Sequence, residues 1–166
     1  MDAQQYPIGK FDRAAPRQRA QWLADIAALP AQLETAVATL PAGGLDRPYR
    51  EGGWTARQVV HHIADSHLNS ALRFRFALTE ENFVIKPYDE AAWARLADAA
   101  TAPVEPSLAI LRGLHARWAA LLASLTEDQW RRPLTHPATG AWDIELMAGL
   151  YSWHGRHHVA HLGLIK

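Results

Sequence analysis

The sequence predicts an all-α protein, a four-helix bundle with long crossover connections, and three observations support this prediction. Four long segments repeat apolar residues at helical spacing, and none alternates convincingly between apolar and polar residues as a strand would. The segments between them are long and rich in proline, glycine, threonine and aspartate, which interrupt helices. With 166 residues and no internal repeat, the chain has the length of a single domain, which we expect to span residues 1–166.

The first two helices are predicted from their apolar pattern and their end signals. Helical spacing of apolar residues covers residues 16–40, and Pro30 predicts a kink or a break inside that segment. Thr55 and Gln58 have the spacing of a capping box, in which each side chain satisfies a backbone N–H of the other residue. The second helix is therefore predicted to begin after Thr55 and to run to about residue 79.

The other two long helices begin at residues that favour a helix start. The third is predicted to start near Pro106, because proline is well tolerated in a first helical turn. Its apolar residues recur at Leu108, Leu111, Trp118, Leu122 and Leu125. Asp143 is a good N-cap, so the fourth helix is predicted to run from there to about Ile165. A short helix at about residues 89–97 is predicted to interrupt the longest connection.

Charge and composition exclude several classes of partner and of chemistry. Seventeen basic and seventeen acidic residues cancel, so nothing indicates a nucleic-acid or anionic-membrane partner. The chain has no cysteine, which excludes disulfides, thiolate metal ligands and a cysteine nucleophile. The N-terminal residues lack a signal-peptide pattern, and no apolar run approaches the ~18 residues of a membrane span. We therefore expect a cytoplasmic protein.

Histidines form the most informative pattern in the chain. Seven of the nine lie in two predicted helical windows, residues 59–67 and 153–161. On a helix, residues four apart share one face, so His154 and His158 can aim two imidazoles at one point. Both fall near the middle of the apolar stripe of the last helix, with His161 beside them. A third imidazole from another helix would complete an open three-histidine metal site.

Two adjacent histidines of the second helix compete to complete this site. His62 shares its face with polar residues such as Gln58 and Ser66, which form a strip along the helix. A polar strip alone usually indicates a solvated surface, but opposite a histidine-bearing face it indicates one wall of a polar pocket. Spacing leaves His61 and His62 nearly undecided, with a slight preference for His62. For the last helix, the alternative is that each histidine is hydrogen-bonded separately in the core.

Motifs along nearly the whole chain resemble those of a known family. The matching segments are residues 6–9, 48–67, 73–74, 78–81, 87–90, 114–118, 136–137, 149–151 and 153–161. In this order they are similar to the DinB superfamily of metal-binding four-helix bundles, and in particular to its YfiT-like branch of candidate metal-dependent hydrolases. The resemblance implies that His62, His154 and His158 are the metal ligands and that the protein is a homodimer.

The chemistry implied by the resemblance is metal-assisted activation of a nucleophile. One divalent metal per chain is expected, zinc first and nickel second, because imidazole suits both. Such a cation lowers the pKa of bound water from 15.7 to about 7, which supports hydrolysis of a small-molecule substrate. The same cation can present a low-molecular-weight thiol as a thiolate, so a thiol-dependent S-transferase is the first alternative. A metal-binding protein without turnover is the second.

Three further residues are weaker candidates for supporting roles, and no general base can be assigned from the sequence. Asp65 and His161 are candidates to orient metal ligands or to move protons, since a ligating histidine usually donates its second N–H to a partner. For Asp65 the alternative is a surface carboxylate or a salt bridge. Arg73 is a candidate to bind an anionic substrate group, with a structural ion pair as the alternative. For His115 we expect core packing beside Trp118.

Overall fold

The computed structural model describes residues 3–166 and confirms the four-helix bundle. In chain order its elements are α1 (Arg19–Ala38), a 3-10 helix (Gly44–Asp46), α2 (Ala56–Thr79), α3 (Glu90–Trp93), α4 (Ala97–Thr101), α5 (Glu105–Ala123), α6 (Glu127–Trp130), β1 (Pro133–His136), β2 (Gly140–Asp143) and α7 (Ile144–Leu162). The four long helices α1, α2, α5 and α7 form the bundle. Among the described residues, no helix combines the length and the apolar character that a membrane crossing requires.

The order of the helices around the bundle explains two of its long connections, those between α1 and α2 and between α5 and α7. Both α1 and α2 pack against α5 and against α7, so α1 and α2 lie at opposite corners, as do α5 and α7. The chain therefore crosses the end of the bundle twice, once between α1 and α2 and once between α5 and α7. Each crossing needs more residues than a tight turn between neighbouring antiparallel helices would.

The predicted helix starts agree with the structure. The Thr55 side chain accepts a hydrogen bond from the Gln58 backbone N–H at 3.2 Å, and the Gln58 side chain accepts one from the Thr55 N–H at 3.0 Å. This reciprocal pair is the predicted capping box at the start of α2. Asp143 caps α7 by accepting a hydrogen bond from Leu146 N–H at 2.6 Å. These caps fix the first turns of the two helices that carry most of the histidines.

Helix α1 continues without a break through Pro30, the position at which the sequence predicted a kink or a break. Residues on both sides of the proline, Ile26 and Leu29 before it and Leu33 after it, are buried, so core packing holds the helix together. Proline has no N–H, and the carbonyl of Ile26, four residues earlier, therefore lacks its helical donor. Instead, the His115 Nδ1–H donates to the Ile26 carbonyl oxygen at 2.6 Å.

Two connections contain structure that the sequence analysis did not predict. The segment before α7 forms an antiparallel hairpin, in which β1 pairs with β2 from Pro133 opposite Asp143 to His136 opposite Gly140. Each strand has only four residues, too few for an alternating pattern to stand out. The single short helix predicted at residues 89–97 is instead two helices, α3 and α4, separated by three residues.

A close approach of α1 to α7 sets the position of the last helix. Two glycines of α7 face α1, and a Cβ atom added at Gly149 would lie 2.9 Å from the Trp22 ring. A Cβ atom added at Gly155 would lie 2.8 Å from the Leu29 side chain. A larger residue at either position would force the Trp22 ring, the Leu29 side chain or α7 itself to shift, so the two glycines allow α7 to lie close to α1 on both sides of His154.

The core consists of two apolar clusters separated by histidines. The first cluster includes Ile26, Phe74, Trp118, Met147 and Tyr151, and the second includes Leu29, Leu33, Ile63, Leu111 and Leu162. Between the clusters lie His67 of α2, which is 0% exposed, His115 of α5, which is 1% exposed, and the partly buried His154 of α7. Burying an imidazole without a hydrogen-bond partner is costly, so this part of the bundle must satisfy each ring nitrogen internally or with a bound ion.

Candidate metal centre

Three histidines from two helices meet at one point in the bundle. One ring nitrogen each of His62 on α2 and of His154 and His158 on α7 lies within 4.8 Å of the other two. The Nε2 atoms of His62 and His154 are 3.2 Å apart. His154 and His158 lie one helical turn apart on α7, with ring centroids 4.5 Å from each other, and the His158 ring lies 4.8 Å from that of His62.

The geometry and the charge state of these three imidazoles fit a divalent cation. Zinc binds imidazole nitrogen at about 2.0–2.1 Å, so two nitrogens on one tetrahedral ion are about 3.3 Å apart. The 3.2 Å separation of the His62 and His154 Nε2 atoms is close to this value. Burial lowers the pKa of His62 to about 4 and holds the pKa values of His154 and His158 well below 6.5. All three rings are therefore neutral near pH 7 and have a lone pair for a metal.

The structure turns His62, and not His61, toward α7. The Ser107 hydroxyl lies 2.8 Å from Nδ1 of His61, and Nε2 of His61 lies 3.2 Å from the Ala102 carbonyl oxygen. Both ring nitrogens of His61 are thus engaged, one by α5 and the other by the C-terminal end of α4. The orientation that spacing alone left open is settled by tertiary packing, because neighbouring positions on α2 face α5 and α7 respectively.

Of the three supporting candidates, His161 lies directly beside a histidine of the cluster. Its Nδ1 is 3.3 Å from Nδ1 of His158, and its Nε2 is 3.2 Å from the Gln5 carbonyl oxygen. The ring of His161 stacks on Tyr49 at a centroid distance of 3.9 Å. His161 is therefore placed to hold the His158 ring.

Asp65 lies in a different part of the molecule. It lines a cavity of about 210 Å³ between α2 and α5, together with His61, Asp98 and Ser107. Burial, with the nearby negative charge of Asp98, raises the pKa of the Asp65 carboxyl. Asp65 is not among the residues that line the cavity at the histidine cluster.

A second group of three histidines shares His158 with the first. Ring nitrogens of His157, His158 and His161 also lie within 4.8 Å of one another. Both nitrogens of His161 already have a hydrogen-bond partner, and the His157 ring stacks on Trp153 at a centroid distance of 4.5 Å. The 3.3 Å approach of the His158 and His161 Nδ1 atoms would also suit two ligands of one ion, but it continues to the Gln5 carbonyl as a hydrogen-bonded series. The first group is the better candidate for a cation, because it joins two helices and consists of the ligands that the family resemblance implies.

A cavity of about 370 Å³ opens onto the histidine cluster. Its lining includes Tyr6, Tyr49, Arg50, Trp54, Glu90 and Trp153 besides the histidines. The Trp54 ring lies 4.7 Å from the His62 ring, so this tryptophan contacts the cluster as well as the start of α2. The volume falls in the range of small-molecule sites, and the mixture of aromatic and polar groups is typical of them.

A smaller cavity of about 200 Å³ also reaches His154 and contains the third supporting candidate. Its lining includes Arg73, Glu90, His136 and Tyr151. Arg73 donates hydrogen bonds to the Tyr151 hydroxyl at 3.2 Å and to the Lys86 carbonyl oxygen at 3.1 Å. Among the described residues, Glu90 is the acidic side chain that lines both cavities, and burial raises the pKa of its carboxyl.

Three residues at the site were missed by the sequence analysis. The ring of His67 lies between those of His154 and His115, and each of the two ring contacts is a 3.0 Å approach between nitrogens. His115 does pack beside Trp118 as expected, at a ring distance of 5.5 Å, but it also belongs to this series of contacts. Glu90 lies in the first turn of α3. In the sequence, its place in residues 87–90, one of the segments that resemble the family, was the only indication that it belongs to the site.

The chain is similar to the DinB superfamily and to two Bacillus proteins along most of its length. The family model of the DinB superfamily matches residues 25–162. YfiT of Bacillus subtilis, named as a candidate metal-dependent hydrolase, is 48% identical over 161 residues, which are 95% of this chain and 90% of YfiT. A Bacillus cereus protein with the same kind of name is 47% identical over 169 residues, covering 100% of this chain and 97% of that protein.

The solved structure of Bacillus subtilis YfiT is also similar. It superposes with a TM-score of 0.92 at 47% sequence identity, and the match covers 97% of this chain and 94% of the other. That protein is described as a candidate metal-dependent hydrolase with an unusual four-helix bundle topology.

The depressed histidine pKa values predict that the metal-free protein loses stability in mild acid. Below pH 6.5 the unfolded chain binds protons on its histidines, whereas in the folded protein His62 stays neutral until about pH 4 and His67 and His154 also resist protonation. The unfolded state therefore binds more protons, and the free energy of unfolding decreases by about 1.4 kcal/mol per pH unit for each such histidine.

The measurement is the melting temperature between pH 7.5 and pH 4.5 in the presence of a chelator. We expect a plateau above pH 7 and a steep decrease below pH 6.5. The His154→Leu variant, which lacks one of these histidines, should show a shallower decrease. A melting temperature that stays constant from pH 7 to pH 5 would contradict this account.

Proposed function

Because the chain belongs to the DinB superfamily and joins three neutral imidazoles to an open cavity, we propose that it is a metal-dependent hydrolase of a small-molecule substrate. The observation that carries the proposal is the convergence of His62, His154 and His158, with two Nε2 atoms 3.2 Å apart. Three protein ligands leave a coordination position open, which is typical of catalytic and not of structural zinc sites. Zinc is the expected metal, and nickel is the second candidate.

The residues around the cluster have separable roles in this proposal. A bound divalent cation supplies Lewis acidity that lowers the pKa of a coordinated water to about 7. His161 holds the His158 ring through the contact between their Nδ1 atoms. Arg73 binds an anionic part of the substrate in the smaller cavity, and Glu90, which lines both cavities, exchanges protons with the reacting groups. The aromatic side chains of the larger cavity exclude water from the bound substrate.

The metal assignment predicts a specific pattern of loss among alanine variants. His62→Ala, His154→Ala and His158→Ala should each reduce the bound metal from one equivalent per chain to a small fraction of it, because two imidazoles hold a cation far less tightly than three. His61→Ala is the matched control, since His61 is the adjacent buried histidine with both nitrogens engaged elsewhere. His157→Ala is a second control on α7.

Elemental analysis of the purified variants measures this pattern. The proposal expects stoichiometric metal in the wild type and in both controls. Loss of the metal in His61→Ala together with its retention in His62→Ala would show that the assignment of the α2 ligand is wrong.

The hydrolase proposal predicts turnover that needs the metal but no added thiol. The metal-loaded protein should hydrolyse members of a panel of small esters and amides, and chelation or His154→Ala should reduce kcat/KM by at least about 100-fold, since it removes the activated nucleophile. The same panel, extended with electrophilic thiol acceptors, is assayed with and without a low-molecular-weight thiol.

Three other outcomes would overturn the hydrolase proposal. Turnover only in the presence of thiol would indicate an S-transferase that uses the same site. Activity unchanged in His154→Ala would remove the metal site from the reaction. Stoichiometric metal with no turnover of any substrate would indicate a metal-binding protein without catalysis.

We also propose, from the family resemblance, that the protein is a homodimer, and we propose a cytoplasmic location, which the lack of cysteine fits. Leu68, Leu72 and Phe76 follow one another at four-residue spacing along α2 and are 42–47% exposed. A second copy of the chain would cover this apolar stripe. Sedimentation that shows only monomer at micromolar concentration would exclude the dimer.

A further inference from the structure

A line of hydrogen-bonding groups crosses the bundle and takes one residue from each long helix. It starts at the Ile26 carbonyl oxygen of α1, which lies 2.6 Å from Nδ1 of His115 on α5. Nε2 of His115 lies 3.0 Å from Nδ1 of His67 on α2. Nε2 of His67 lies 3.0 Å from Nδ1 of His154 on α7. We call these four groups the histidine line.

The position of every proton along the histidine line follows from its first member. A carbonyl oxygen can only accept, so the Nδ1 of His115 carries the proton. A neutral imidazole has one N–H, so the Nε2 of His115 accepts and the Nδ1 of His67 donates. By the same step the Nε2 of His67 accepts and the Nδ1 of His154 donates. The Nε2 of His154 is then left with a lone pair, and it faces the Nε2 of His62.

Two features of the structure keep this proton arrangement in place. The Ile26 carbonyl is available because Pro30 supplies no helical N–H to it. His67 and His115 are 0% and 1% exposed, so solvent cannot replace either partner. A charged ring at either of these buried positions would be costly, so each ring keeps the single N–H that the arrangement requires.

His158, the other proposed ligand on α7, has the same kind of arrangement independently of the histidine line. The Nε2 of His161 donates to the Gln5 carbonyl oxygen, so its Nδ1 accepts from the Nδ1 of His158. The Nε2 of His158 is left with its lone pair. Each of the two histidines is thus oriented by another histidine whose own tautomer is fixed, directly or through one more ring, by a backbone carbonyl.

We propose that His67 and His115 are positioning residues which fix the tautomer of His154 and so hold its Nε2 lone pair ready for the metal. The inference rests on the proposed metal site and assigns a role to two residues outside it. Neither residue lines the two cavities at the histidine cluster, so both would act through His154. Loss of the acceptor at the Nδ1 of His154 would let its proton move to Nε2, where it competes with the metal. Hydrogen-bond partners of metal-binding histidines typically contribute about 10- to 100-fold in metal affinity.

The experiment compares zinc affinity with stability in matched core variants. His115→Leu removes both contacts of His115, and Leu111→Ala is the control, because Leu111 is also fully buried on α5 but lies outside the histidine line. Zinc dissociation constants are measured by competition with a chromophoric chelator, at a temperature at which each variant is folded. Melting temperatures of the metal-free variants are measured in parallel.

The proposal expects zinc binding about 10- to 100-fold weaker in His115→Leu and unchanged in Leu111→Ala, although both variants melt earlier. Equal zinc affinity in His115→Leu and wild type would overturn the proposal, since a purely structural role lowers only the melting temperature. The His154→Ala variant distinguishes an error in the metal site from an error in the positioning role. If it retains zinc, the metal site itself is wrong. If it loses zinc while His115→Leu does not, only the positioning role fails.

A second measurement uses the wild-type protein, so it does not require any variant to fold. Long-range ¹H–¹⁵N NMR of the metal-free wild type reports which nitrogen of each histidine carries the proton. The proposal expects Nδ1–H for His115, His67 and His154. Nε2–H at His154 in the metal-free protein would overturn it.

Discussion

The need to satisfy buried imidazoles connects the fold of this protein to its site. Above and below the histidine line the bundle is filled by ordinary apolar clusters, and these supply the burial that stabilises it. Between them, four helices must meet closely enough for a carbonyl and three rings to form three successive contacts of 2.6–3.0 Å. The missing N–H of Pro30 and the close approach of α7 to α1 at Gly155 both serve this requirement.

Local signals in the sequence predicted the long helices well, and the deviations have physical causes. The capping box at Thr55 and the N-cap Asp143 are interactions within one helical turn, so the sequence contains all their participants. The effect of Pro30 on α1 depends on burial of the residues around it, which only the packed bundle provides. The hairpin of β1 and β2 depends on pairing between two four-residue strands, and short strands give no periodic signal.

The sequence predicted the pair of site histidines that lies on one helix, but it did not predict the contacts that join several helices. The four-residue spacing of His154 and His158 requires their rings to share a face. The choice between His61 and His62 depends on which neighbour each side of α2 meets, and the family resemblance indicated the histidine that faces α7. The role of His67 depends on partners in two other helices, which no pattern within α2 reveals.

The most direct test of the account is the position of a bound metal ion. Crystals of the zinc-loaded protein, measured on both sides of the zinc absorption edge, locate the ion by its anomalous scattering. The account predicts one site per chain, at about 2.0–2.1 Å from the Nε2 atoms of His62, His154 and His158. An ion held instead by the second group of histidines, His157, His158 and His161, or one bound through the Nδ1 of His154, would contradict it.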